Sequence, residues 1–462
     1  MDTLRDRNVV VLGLGQTGLS LVRWLTRHGA NLRVADTRDR PPFAAELAQH
    51  WPGVPLETGP FTASTFAGCD TIAISPGVAK DQPAIREAVA AGAELVGDIE
   101  LFARALPRGQ KVLAVTGTNG KSTVTTLAGE LARAAGLDTV VAGNIGEAVL
   151  DALATLEDEQ RWPDLVVLEL SSFQLETTYS LAPTAATVLN VAPNHLDRYS
   201  GIADYASAKA SVFAAASVQV LNRDDAIVRL MRRPGRTVQT FGASVPLSEE
   251  EWGLVVRGGK EWLARGGELI VPLDALALVG RHNALNALAA LALVSSVAKL
   301  TPAVIAALSR FAGLPHRVQR VGERDDIVFV DDSKATTVAA TEAALAGIGR
   351  PVILIAGGDG KGQSFVPLRP AVDAHCRAVL LIGRDAPAVA RGLAGTPVQV
   401  LMCDTLEQAV ARAFDLARAG DAVLLSPACA SLDQFPNYQV RGERFAVLVQ
   451  QRFAEAQACG SA

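Results

Sequence analysis

The chain has little of what marks the more specialised classes of protein. Aromatic side chains make up 5% of its 462 residues although hydrophobic residues reach 49%, so Ala, Val and Leu must build the cores, as in ordinary packed α/β domains. Cysteine is scarce: Cys69, Cys376, Cys403, Cys429 and Cys459 are scattered without C-x-x-C spacing. That pattern reads as reduced thiols and argues against a disulfide framework or a zinc site. No block of five like charges occurs, and 43 basic residues stand against 48 acidic ones for a net charge of −5. Nucleic acid and a membrane surface are therefore not expected as partners. Long apolar runs are missing as well, since the most apolar helix-like stretch, residues 287–298, is too short to span a bilayer and is broken by Ser295 and Ser296. The first residues pass from charge straight into an apparent strand, with no signal peptide visible. A soluble, cytoplasmic, monomeric protein is expected.

What the chain does have is organised around residues 111–123, KVLAVTGTNGKST. An apolar run at 112–115 breaks into a small-residue loop, Gly117, Thr118, Asn119 and Gly120, after which Lys121, Ser122 and Thr123 open an amphipathic segment. A strand, a loop of backbone N–H groups and a helix N-terminus favour anions, and the lysine adds a point charge for a terminal phosphate. The hydroxyl after it suits the magnesium ion that accompanies such a phosphate. The match to G-x-x-x-x-G-K-[ST] is incomplete, because Val115 stands at the first glycine position. A nucleotide-phosphate site and a plain glycine-rich turn both remain open on this motif.

Upstream, a strand, the turn Gly13, Gly15, Gly18, a helix with Leu21, Val22 and Leu25 on one face, and a second strand ending at Asp36 form the dinucleotide fingerprint. Alone it predicts NAD, although the same turn serves any nucleotide diphosphate. A further β-turn unit falls at 70–77, and GDIELFAR from Gly97 reads as a connecting segment. Strands are expected at 164–172 and 184–191, each ending in polar residues, so Glu169, Ser171, Ser172, Asn190 and His195 should converge beside the phosphate loop at the carboxyl edge of a parallel sheet. Helices follow at 205–213, carrying Lys209, and at 280–294, where Asn283 and Asn286 lie one turn apart. Beyond Leu314, strands at 327–330, 352–356, 378–382 and 422–425 precede loops of marked polarity: DDSKATT, GGDGKG, GRD and SPACAS. The expectation is three α/β domains: a Rossmann-like 1–97, a central P-loop-type 98–313 with a mostly parallel sheet, and a Rossmann-like 314–462. On these residues, an NAD-dependent oxidoreductase and a nucleotide-gated switch stay open beside a nucleotide-consuming enzyme.

The set GLGQTG, ADTR, SPG, GDIELF, TGTNGKSTVTTL, GNIG, LELSSFQLE, NHLDRY, HNALNALAA, GLPHR, DDSKAT, GGDGKG and SPACASLDQF, in that order, resembles the Mur ligases, ATP-dependent amide-forming enzymes of peptidoglycan synthesis. GLGQTG with ADTR favours the branch that adds glutamate; a sibling adding another residue or a folate-polyglutamating relative falls within the same likeness. The resemblance implies that Gln16, Thr17, Asp36, Thr37 and Arg38, with Ser171 and Ser172, hold a UDP-sugar instead of NAD. It implies that Gly117 to Thr123, Asn144, Asn283, Arg317, Asp332 and Lys334 hold ATP, and that Thr336, Lys361, Ser431, Leu432 and Tyr438 hold glutamate. Ser122, Glu169, His195 and Lys209 match metal positions for two magnesium ions, which manganese can replace, Lys209 as a carbamate made with carbon dioxide. Lys121, Glu169, His195 and Lys209 are the implied catalytic set. Two positions depart from the family: Tyr438 stands where phenylalanine is expected, and Thr337 where asparagine is common.

Overall fold

Strand β1 (Asn8–Leu12) is buried from its second residue onward, as a Val-rich run covered on both faces of a parallel sheet should be. With β2 (Asn31–Asp36), β3 (Leu56–Thr58), β4 (Thr71–Ile74) and β5 (Glu94–Val96) it makes a parallel five-stranded sheet in the order β3-β2-β1-β4-β5. The order reverses at β1, and the loops after β1, β2 and β4 therefore surround one crevice at the carboxyl edge. The computed structural model describes residues 4–195, 198–278 and 280–460, with side chains up to 455; the side chain of Cys459 falls outside that range.

The second sheet has nine strands: β6 (Lys111–Thr116), β7 (Thr139–Gly143), β8 (Leu165–Glu169), β9 (Ala185–Val188), β10 (Val218–Asn222), β11 (Thr237–Phe241), β12 (Glu251–Arg257), β13 (Lys260–Arg265) and β14 (Glu268–Pro272). Their order is β14-β13-β12-β11-β10-β9-β6-β8-β7. The phosphate-loop strand β6 is central, between β9 and β8. The third sheet runs β15-β16-β20-β17-β18-β19, from β15 (Gln319–Arg324), β16 (Ile327–Asp331), β17 (Val352–Gly357), β18 (Cys376–Ile382), β19 (Gln399–Asp404) and β20 (Ala422–Leu425). Only β15 is antiparallel to its neighbour in that sheet. Three sheets, mostly parallel, agree with the expected α/β class. By contacts the chain divides into two compact units, Met1–Pro272 with Leu285–Leu308, and Leu273–Ala284 with Ser309–Ala462.

Three features differ from the sequence expectation. Residues Asp98–Ala105, read as a connection, form a helix that buries Ile99, Leu101 and Phe102. Its Glu100 carboxylate caps a neighbouring turn, accepting from the amides of Tyr179 and Ser180. The strand-and-helix alternation of the central region ends in an antiparallel meander, β12-β13-β14. Its first turn is Gly258-Gly259, both at positive φ, a hairpin geometry that glycine permits. The edge strands β15 and β19 are mixed in polarity and lack the apolar runs of their neighbours. Among the described residues no helix is long and apolar enough to cross a membrane.

Candidate active site

At the crevice of the first sheet lies a cavity of about 540 Å³. Gly13, Gly15, Gln16 and Thr17 of the glycine turn line it, with Asp36, Thr37 and Arg38, the loop 75–78, Asn144 and Gln174. Gly18 packs so closely under the Gly13 carbonyl that no side chain fits there, the close helix–strand approach for which such turns carry a third glycine. Asp36 is buried. Its Oδ2 accepts from the Leu14 amide at 2.7 Å, and its Oδ1 accepts from the Arg38 amide at 2.9 Å and Nε at 2.8 Å. Burial alone would raise this carboxyl, but the bonds from Arg38 and Leu14 more than offset it and hold its pKa down at about 2. Asp36 therefore organises the turn and holds Arg38 at the wall of the cavity that it also lines. A larger cleft of about 850 Å³ lies at the amino edge of the same sheet, along Arg5, Cys69 and Asp70, and holds none of the predicted residues.

Gln174 was not foreseen, although the S-x-x-Q spacing announces its local role. Ser171 caps the short helix Ser172–Leu175, its Oγ accepting from the Gln174 amide at 3.1 Å while Gln174 Oε1 accepts from the Ser171 amide. Gln174 Nε2 then donates to buried Asp98 at 2.9 Å, whose pKa burial pushes up to about 6. Ser172 is buried. Ser171 thus has a structural task beyond any ligand contact.

The phosphate loop follows β6 as expected. Gly120, at φ +83°, is the N-cap of helix Lys121–Ala134, and a Cβ there would come within 2.6 Å of Asn286 Oδ1. Thr118 and Asn119 are laced to the loop after β9: the Thr118 amide donates to the Asn190 carbonyl at 2.9 Å, and Asn119 N to Asn190 Oδ1 at 2.8 Å. Lys121 Nζ donates to the carbonyls of Gly117 and Thr118, each at 3.1 Å. Lys209, buried on helix Ile202–Ala210, reaches the same Gly117 carbonyl at 2.9 Å and lies 4.5 Å from the centre of the Tyr205 ring. Burial and then the Lys121 charge push its amine down to about 6. Ser122 and Thr123 are buried in the first helical turn.

Glu169 ends β8 in register with Val115 of β6 and Gly143 of β7. Its Oε1 accepts from Asn144 Nδ2 at 2.8 Å, whereas its Oε2 is buried without a hydrogen-bond partner. His195, at φ +54°, lies 4.8 Å ring to ring from Phe173. No group of three or more His, Cys, Asp or Glu side chains able to hold a metal is found among the described residues. The buried, orphaned Glu169 oxygen fits a hard cation nonetheless, since such ions take oxygen ligands.

The remaining predicted residues lie in the second unit. Asp332 is buried and accepts from Ser426 Oγ at 2.8 Å; burial pushes its carboxyl up to about 7. Lys334 Nζ stands 4.1 Å over the Tyr438 ring. Lys361, exposed and at φ +49°, follows Asp359, whose backbone pairs with that of Ala430 in the loop bearing Ser431. Ser431 is buried and Leu432 exposed, while Thr336 is half-buried and Asn283 buried. Arg317 lies in the turn after Leu314, its amide bonded to the Leu314 carbonyl. Thr337 caps helix Val338–Ile348 through its hydroxyl, a task asparagine also performs, so this departure from the family is conservative. No motif marks buried Arg441, which donates to Ser333 Oγ and the Cys429 carbonyl and ties two of these loops together.

Comparison with known proteins covers nearly all of this. Three family models match: Mur ligase MurD-like, N-terminal domain over residues 7–97; Mur ligase middle domain over 115–294; and Mur ligase, glutamate ligase domain over 316–429. A UDP-N-acetylmuramoylalanine–D-glutamate ligase of Methylobacillus flagellatus is 53% identical over 442 residues, 96% of each chain. The Chromobacterium violaceum protein of the same name is 53% identical over 441 residues, covering 95% of this chain and 96% of its own. Among solved structures, MurC of Thermotoga maritima superposes with a TM-score of 0.57 at 19% identity, covering 96% of this chain and 99% of its own. E. coli FolC, in complex with ADP, gives 0.54 at 19%, covering 77% and 94%. At such identity these two likenesses are of fold alone.

Proposed function

The chain belongs to the Mur ligase family, and on that premise we propose that it joins D-glutamate to UDP-N-acetylmuramoyl-L-alanine at the expense of ATP, in peptidoglycan precursor synthesis. The observation that carries the reading is Asn144, which lines the 540 Å³ cavity and also donates to Glu169 beside the phosphate loop. One residue thus borders the space proposed for the UDP-sugar and the side chain proposed for the metal.

In the proposed reaction an oxygen of the alanine carboxylate attacks the γ-phosphorus of ATP in line, ADP leaves, and an acyl phosphate forms. The glutamate amine then adds to the acyl carbon and loses a proton as inorganic phosphate departs. The difficulty is charge, because a carboxylate must approach a polyanion. Magnesium, when bound, supplies neutralising charge to oxygens on both reactants. Glu169, Ser122, His195 and a carbamylated Lys209 would hold two such ions, and manganese in their place. Lys121 and the amides of 117–123 would cradle the phosphates, assisted by Asn144, Asn283, Arg317, Asp332 and Lys334. Gln16, Thr17, Asp36, Thr37 and Arg38, with Ser171 and Ser172, would hold the UDP-sugar. Thr336, Lys361, Ser431, Leu432 and Tyr438 would receive glutamate, where a cation on an exposed loop suits a second carboxylate. We assign domains 1–97, 98–313 and 314–462 to UDP-sugar, ATP and amino acid, in a cytoplasmic monomer without nucleic-acid or membrane partners.

Phosphate release in the presence of UDP-N-acetylmuramoyl-L-alanine, compared among D-glutamate, L-glutamate and other amino acids, tests the reading. Stimulation by D-glutamate is expected. Release that no amino acid stimulates overturns it.

A further inference from the structure

Arg198 lies three residues beyond His195 and is bound to it: the amides of Arg198 and Tyr199 both donate to the His195 carbonyl, at 3.0 and 3.1 Å. Its guanidinium leaves that segment and reaches the first sheet. There it donates to the Pro76 carbonyl at 2.8 Å and the Val78 carbonyl at 3.0 Å. On the way it lies 4.2 Å over the Phe173 ring, the ring that also packs on His195, and pairs with Glu176 at 3.3 Å. The side chain is 15% exposed and that of Glu176 8%, so both groups have left bulk water for these partners. Lys80 makes a second tie between the same two regions, donating to the Glu176 carbonyl at 3.2 Å.

The loop Arg198 holds is not a neutral anchor. Residues 75–78 close a turn, Val78 N to Ser75 O at 2.9 Å, and form a wall of the 540 Å³ cavity. Ser75 Oγ donates to the Gly13 carbonyl at 2.8 Å. The Val78 side chain covers Gly13, where an added Cβ would come within 2.8 Å of it. One planar, multiply bonded cation therefore connects the glycine turn, through the 75–78 loop, to the backbone and ring of His195. A lysine ammonium cannot reproduce that fork.

We propose that Arg198 is a positioning residue that sets the His195 segment against the 75–78 loop, so that filling the cavity and aligning His195 are one event. The inference rests on the functional reading above, in which the cavity takes the UDP-sugar. Arg198→Lys keeps the charge and the stem, and Arg198→Ala removes the group; each is measured for UDP-N-acetylmuramoyl-L-alanine affinity by calorimetry without ATP, for kcat, for the ATP KM and for thermal midpoint. For the lysine variant we expect UDP-sugar binding several-fold weaker and kcat lower by roughly 10- to 100-fold, the scale of a 1 Å misplacement, with the ATP KM within about twofold, since the phosphate loop makes no bond to Arg198. Millimolar guanidinium should restore part of the kcat of a folded Arg198→Ala protein. Wild-type affinity and kcat in the lysine variant overturn the proposal, as does a kcat loss accompanied by an equal loss of ATP binding. A wild-type chain that takes no UDP-sugar defeats the functional reading itself, an outcome distinct from both.

Discussion

Lys121 and Lys209 donate to one acceptor, the Gly117 carbonyl, at 3.1 and 2.9 Å. Two ammonium groups cannot share such a position without cost, and the burial of Lys209, aided by the Lys121 charge, holds its pKa down at about 6. Removing Lys121 relieves part of that repulsion. In Lys121→Met the Lys209 amine should therefore titrate at a higher pH and a smaller neutral fraction should be available at pH 7. The ¹³C signal of a lysine carbamate in labelled bicarbonate, followed against pH, reads this directly, and an unchanged midpoint refutes the coupling. Turnover should fall by on the order of 10²- to 10³-fold from lost phosphate stabilisation.

Lys209 also sets a pH dependence of stability. Its folded pKa, about 6, lies below the ordinary 10.5, so between those values the unfolded chain binds the additional proton and stability rises with pH. Lys209→Met removes that dependence. Its thermal midpoint should exceed that of the parent by ~3 °C or more near pH 6, with a smaller gain at pH 9. A gain that grows with pH would contradict the burial argument. The same neutral amine is what carbon dioxide requires. Lys209→Ala should lose at least about 10²-fold in kcat, with partial rescue by small carboxylates; full activity in that variant excludes the carbamate.

The Glu169 carboxylate has one oxygen bonded to Asn144 and one buried without a partner. Glu169→Gln replaces the charge at constant shape, so divalent-ion affinity, measured by Mn²⁺ electron paramagnetic resonance, should drop by at least about tenfold. Asn144→Ala leaves the carboxylate but frees its orientation, a change typically worth 10- to 100-fold in metal affinity or activity. Unchanged Mn²⁺ binding in Glu169→Gln would remove Glu169 from the metal site.

The three parallel cores were legible because buried strands such as β6 and β17 are continuous apolar runs, and because each phosphate or polar loop follows its strand directly. The meander β12-β14 was less so: its strands are half-buried and mixed, and its glycine pairs were the sole signal. Glu169 and Asn190 were placed correctly beside the phosphate loop from strand ends alone. Gln174 and Arg198 were not singled out, since their roles come from pairing across more than 70 residues of chain, with Asp98 and Pro76. Sequence periodicity reports which face of an element is buried and carries no information on what a buried polar group meets there.

Tyr438 is the departure from the family that borders a proposed ligand, and its surroundings show what the hydroxyl is and is not needed for. The ring receives the Lys334 ammonium at 4.1 Å and meets His316 edge-on at 6.1 Å. The main chain at this position is fixed separately, by Ser333 Oγ on the Tyr438 carbonyl at 2.8 Å. Both ring contacts use the aromatic face or edge, which phenylalanine shares. Tyr438→Phe should therefore keep kcat/KM for glutamate within about threefold. Tyr438→Ala removes a cation–π contact of about 0.5–2 kcal/mol, which converts to a roughly 2- to 30-fold rise in the glutamate KM with little change in the ATP KM. Lys361→Ala, on a loop whose backbone is held by Asp359 and Ala430 independently of the side chain, should raise the glutamate KM by about tenfold through loss of one charge-assisted contact. If Tyr438→Phe instead loses activity as Tyr438→Ala does, the hydroxyl itself contacts substrate, and the glutamate pocket of this chain differs in chemistry from one built around phenylalanine.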